Sequence, residues 1–96
     1  PLDDKGMLHV IHGMLDEIQA ELAGRDVLVS FTEDVAPFLL TKLPQTQSAR
    51  PLRAVLREYI EDPLSSELLS NPPTEPLLIS VEKDKVFFVK PMAVLN

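Results

Sequence analysis

Ala49-Arg50-Pro51-Leu52-Arg53-Ala54-Val55-Leu56-Arg57-Glu58-Tyr59-Ile60-Glu61-Asp62-Pro63-Leu64 is the stretch that organises the chain. Leu52, Val55, Leu56, Tyr59 and Ile60 recur at the steps that put side chains on one face of a helix, so this segment presents a core-facing stripe. Pro51 suits the first helical position, where its missing amide proton costs nothing. Arg53, Arg57, Glu58 and Glu61 fall on the other face, where Arg–Glu pairs form at helical spacing. Asp62 ahead of Pro63 reads as the cap of a new short helix through Leu64, Leu68 and Leu69, because proline disfavours continuation of the helix before it.

Working outward, Asn71-Pro72-Pro73 ends helical structure. Leu77 to Val81 and Val86 to Val89 are apolar runs separated by Glu82, Lys83, Asp84 and Lys85, the spacing of a hairpin with a polar turn. Towards the N-terminus, residues 43–49 carry no period and read as a loop. Thr32, Glu33 and Asp34 look like a capped helix start, with Val35, Leu39 and Leu40 inward and Pro37 as a source of delay or bending. Val27, Val29 and Phe31 alternate as in a strand. A first helix carries Met7, Leu8, Ile11, Leu15, Ile18 and Leu22 on one stripe, with Asp3 and Asp4 at its start and Gly24 as a left-handed stop. The order α-β-α-α-α-β-β predicts an α+β fold, with helices on one side of a short sheet of about three strands that the early strand joins. Residues 1–96 read as a single domain.

Composition narrows the function. The chain has 96 residues, 45% apolar and 25% charged, which supports one folded core. Nine basic against fifteen acidic side chains give a net charge of −6, which repels phosphate backbones and anionic lipids, so nucleic acid and membrane are not expected partners. Without cysteine, neither disulfides nor thiolate metal sites hold the fold. No apolar run approaches the roughly 20 residues that span a bilayer, and no signal-peptide pattern opens the chain. A soluble protein is expected, cytoplasmic or, in a eukaryote, in an organelle matrix or stroma. The start at Pro1 points to excision from a longer chain.

Few side chains suggest chemistry. His9, His12 and Asp16 share a helical spacing, which raises the alternative of a small metal-dependent enzyme. Zinc needs at least three well-placed ligands and a supporting shell, however, so these residues are read as surface residues and no metal site is expected. Glu33-Asp34 and Glu61-Asp62 are explained by helix ends. No serine or cysteine nucleophile has an identifiable partner, so no catalytic residue is assigned. Phe87, Phe88 and the neighbouring valines are candidates for an exposed apolar edge.

The stretch quoted above resembles a known family. It is similar to the Gly-Ala-Arg-Pro-Leu-Arg-Arg segment and the Ile-Glu-Asp-Pro-Leu-like ending near the C-terminus of Clp-type AAA+ ATPases such as ClpB, ClpA and ClpC. Pro1-Leu2 with the first helix, and Val27 to Val35, resemble the opening, strand and second helix of that family's small C-terminal (lid) subdomain. Ser48 stands at the family's glycine, Ala54 at its second arginine, and Lys42-Leu43-Pro44-Gln45 at its Gly-Tyr-Asp-Pro approach.

The resemblance implies that Arg50 is the sensor 2 arginine, reaching nucleotide on a preceding large AAA+ subdomain. Arginine's permanent charge and forked donors suit phosphate oxygens. Arg53 is a candidate contact with a neighbouring subunit, because surface arginines are enriched at interfaces. The resemblance further implies ATP and Mg in a parent protein, none bound by this segment alone, and a homo-oligomeric, hexameric ring acting on unfolded or aggregated proteins. The segment has no Gly-x-x-x-x-Gly-Lys-Ser/Thr phosphate loop and is not itself expected to hydrolyse ATP. The rival expectation is a stand-alone acidic interaction module that keeps the fold without nucleotide coupling.

Overall fold

The first helix, α1, spans Asp4–Ala23 in the computed structural model, which describes residues 3–44 and 50–89. The expected Pro1-Leu2 opening and the 45–49 part of the loop, Ser48 included, lie outside the described residues. Asp3 caps α1 as its position suggests: its Oδ1 accepts from the Gly6 amide at 2.8 Å, satisfying one of the helix's orphan donors. Met7, Ile11 and Leu15 of the predicted stripe are buried, while Leu8, Ile18 and Leu22 pack against that core from its margin.

The stop of α1 differs from the expectation. Gly24 keeps a right-handed conformation (φ −65°, ψ −14°), and the left-handed residue is Asp26, with φ 64°. The Val27 amide donates to the Leu22 carbonyl at 2.9 Å and the Asp26 amide to the Ala23 carbonyl at 3.0 Å. This pair of bonds is the Schellman pattern, centred two residues beyond the glycine. Aspartate tolerates the left-handed region better than most residues, and Leu22 and Val27 both pack against the core beneath the turn.

β1 is Val29–Phe31 and runs parallel to β2, Leu77–Glu82. β2 pairs antiparallel with β3, Lys85–Val89. The sheet order is β1-β2-β3, so the early strand joins the hairpin as its sequence predicts. Val29 aligns with Leu77, Phe31 with Ile79 and Ile79 with Phe88. That register sends Val29, Leu77, Ile79 and Val86 into the core, with Phe88 against it. Leu78, 36% exposed, belongs to the opposite face with its neighbour Phe87.

α2, Val35–Thr41, begins two residues later than a Thr32 cap would place it, so that Pro37 falls in its first turn, where amide protons have no helical partner. Thr32 is not its cap. The Thr32 hydroxyl bonds the Asp34 carboxylate and the Ser80 hydroxyl, and Asp34 holds the cap position without a side-chain cap bond.

The stretch from Leu52 to Ser70 is helical without interruption: α3 (Leu52–Leu56), a π-helical turn (Arg57–Glu61) and α4 (Asp62–Ser70). The expected break at Asp62-Pro63 is replaced by the wide turn. The Asp62 amide donates to the Arg57 carbonyl, five residues back. In a regular α-helix the Pro63 ring would collide with the Tyr59 carbonyl; widening the preceding turn moves that carbonyl aside. Asp62 is therefore a residue within the helix, not a cap. Leu52, Ile60 and Leu64 lie buried in the core with Ile11, Val35, Leu39 and Ile79. Leu69, expected inward, is 85% exposed, because the rotation that buries Leu64 and sets Leu68 against the core margin turns the next position out.

Candidate functional site

Arg50 is an exposed residue in a turn immediately ahead of Pro51. Pro51 has helical backbone angles (φ −75°, ψ −5°), and its carbonyl accepts the Val55 amide at 3.1 Å, so it acts as the cap one residue before the helix. Behind it Leu52 is completely buried and Leu56 nearly so. The sequence thus mounts an exposed cation at the head of a helix whose other face is fixed in the core, where the helix dipole favours an approaching anion. A core anchor limits the movement of the mount.

A second cluster stands at the end of α2, and the residue pattern alone does not show it. The Lys42 Nζ donates to both carboxylate oxygens of Asp84, each at 2.7 Å. It also lies 5.3 Å from the centre of the Phe38 ring and 5.6 Å from that of Tyr59, and the two rings meet edge to face at 5.6 Å. The Lys42 side chain is only 20% exposed. Hydrogen bonding to Asp84 raises the Lys42 pKa above its ordinary 10.5, outweighing the lowering from desolvation, and the charges of Asp84 and Tyr59 add to the rise. The signal that could have found it is weak: Phe38 and Lys42 share a helical spacing, but Asp84 is distant in sequence.

Arg53 is exposed and borders a groove with Met14, Glu17, Ile18, Leu56 and Glu61. Among the described residues neither Arg53 nor Arg57 closes the expected ion pair with Glu58 or Glu61, whereas Arg25 pairs with Glu21 and Lys42 with Asp84. The π turn explains this for Arg57 and Glu61, since four-residue spacing does not stack side chains where the turn takes about five residues. His9, His12 and Asp16 lie on the exposed side of α1. Among the described residues no three His, Cys, Asp or Glu side chains gather as a metal ion would need, and no helix is long and apolar enough to cross a membrane.

The family described as the C-terminal, D2-small domain of ClpB protein matches residues 2–79. A probable ATP-dependent Clp protease ATP-binding subunit of Chlamydia pneumoniae is 33% identical over 70 residues, 72% of this chain and 8% of that protein. Chaperone protein ClpB of Porphyromonas gingivalis is 32% identical over 91 residues, 92% of this chain and 10% of its own length. A ClpA homolog protein of Fuscovulum blasticum is 33% identical over 82 residues, 84% of this chain and 10% of its own. The chain therefore spans about a tenth of the length of these relatives. With its helices packed on a three-stranded mixed sheet and the family match covering most of its residues, this chain belongs to the C-terminal small subdomains of Clp-type AAA+ ATPases.

Proposed function

We propose that this chain is the nucleotide-sensing and inter-subunit coupling subdomain of an ATP-dependent Clp-type unfoldase or disaggregase. Arg50 is the sensor 2 arginine, and the observation that carries the reading is its exposed position at the head of a helix anchored by Leu52 and Leu56. The family match and the Clp names of the relatives support it. In this reading ATP and Mg bind a preceding large AAA+ subdomain, which this chain completes with Arg50 alone. A charge-assisted hydrogen bond from Arg50 to phosphate contributes about 1.5–3 kcal/mol, enough to shift a domain rotation by one to two decades. The core then carries that rotation as one body, with Arg53 towards a neighbouring subunit of a hexameric ring, and unfolded or aggregated protein is moved elsewhere in the assembly.

The test is Arg50→Ala in the full-length protein, with ring assembly checked separately. The expected result is an intact ring with nucleotide affinity or turnover reduced about 10- to 100-fold. An intact ring with unchanged affinity, turnover and unfolding would transfer the function to an acidic interaction module.

A further inference from the structure

The Lys42 cluster joins parts of the chain that are far apart in sequence. Lys42 is the cap of α2, just before the 43–50 connection. Tyr59 belongs to the π turn of the helix that begins just after it. Asp84 is the second residue of the β2–β3 turn, held at φ 65°, a backbone region in which glycine is locally preferred. What aspartate brings to that position is the carboxylate that Lys42 holds. An ordinary surface ion pair between exposed partners contributes little. Asp84 is itself exposed, but here the lysine side chain is mostly covered and its ammonium faces two rings as well as a bidentate carboxylate. The hairpin is further linked to the same helix by β3 packing against the π turn.

We propose that Lys42 is a positioning residue for Arg50, locking the hairpin tip, the end of α2 and the helix behind Arg50 into one body, so that displacement of the hairpin is passed to the arginine. The inference rests on the sensor reading of Arg50 and adds to it a route by which a partner pressing on the β2–β3 turn alters nucleotide response. Coupling of this kind is carried by contacts with two discrete arrangements, here Lys42 engaged with or released from Asp84.

The test uses Lys42→Met, Lys42→Arg and Asp84→Gly beside Arg50→Ala in the full-length protein. Lys42→Met keeps most of the covered stem without its charge, and Asp84→Gly removes the carboxylate while easing the turn. Both should weaken nucleotide affinity about three- to tenfold, less than Arg50→Ala, with Lys42→Arg near wild type. Because Asp84→Gly should not lower thermal stability, the loss would not be one of folding. In the 96-residue chain Tyr59 is the single tyrosine and there is no tryptophan, so Tyr59 emission should change in Lys42→Met, with faster amide exchange at Lys42 and Leu43. Unchanged affinity in Lys42→Met and Asp84→Gly, alongside a clear defect in Arg50→Ala, overturns the proposal and leaves the sensor reading standing. Unchanged Tyr59 emission and amide exchange overturn it whatever Arg50 does. A null result for Arg50→Ala overturns the sensor reading, and the positioning role with it.

Discussion

The turn that ends α1 and the turn that joins β2 to β3 both ask non-glycine residues to adopt left-handed backbone angles, and the chain meets the demand in two different ways. At the first, Asp26 is supported locally, by two backbone bonds within six residues and by Leu22 and Val27 closing over the core. At the second, Lys83 and Asp84 both have positive φ, the pattern of a two-residue hairpin turn usually filled by Asn-Gly. Support for Asp84 comes from Lys42, far away in sequence. A locally supported turn is a stop signal. A remotely supported one is also a connection, and its conformation depends on another element staying in place.

The largest effect should come from removing what the hairpin stands on. Ile79 is fully buried at the centre of β2, and Ile79→Ala should destabilise the chain by about 2–5 kcal/mol in denaturant titration. Substitution at Asp26 should do less, because only a local conformation is at stake. Asp26→Val, a β-branched residue at φ 64°, is expected to lose about 1–2 kcal/mol, and Asp26→Gly to gain about 0.5 kcal/mol. Asp84→Gly eases the same backbone conformation yet should gain less than Asp26→Gly, since it also gives up the contact with Lys42. Equal gains at the two sites would dissolve the distinction between the turns.

The smallest effect is a pH dependence confined to the second turn. Lys42 has its pKa raised above 10.5 in the folded chain, so its contribution is fully present below 10.5 and declines as pH rises through the folded value. Wild type should therefore lose a little more stability than Lys42→Met in alkaline titration above that pH, while Asp26→Gly should track wild type. Indistinguishable alkaline profiles for wild type and Lys42→Met would remove the ion pair from the energetics of the turn.

Sequence reading succeeded where the cause is local. The stripe from Leu52 to Ile60, the Asp3 cap and the two apolar runs of the hairpin with their polar turn each depend on spacing within a few residues, and so were legible. Joining β1 to the hairpin followed from the marginal stability of a two-stranded hairpin alone. The π turn was not legible, because Pro63 states only that a regular helix cannot continue, and whether the chain breaks or widens depends on core contacts at Ile60 and Leu64. Gly24 is the residue that sequence favours for the left-handed position because glycine is the common solution, whereas the hydrogen bonds of Arg25, Asp26 and Val27 decide where the turn falls. Of the candidate site, the expectation for Arg50 came from a resemblance in its flanking residues, and only its exposed place ahead of the helix was legible from Pro51 itself. The Lys42 cluster was invisible, since nothing near Lys42 announces a carboxylate on a hairpin.

Nucleotide affinity and turnover of the full-length ring, compared between wild type, Arg50→Ala and Arg53→Ala, bear most directly on the claim that this subdomain senses nucleotide. The account predicts that Arg50→Ala loses about 10- to 100-fold in affinity or turnover with the ring intact, while Arg53→Ala leaves affinity near wild type. Wild-type affinity and turnover in an assembled Arg50→Ala ring would contradict it.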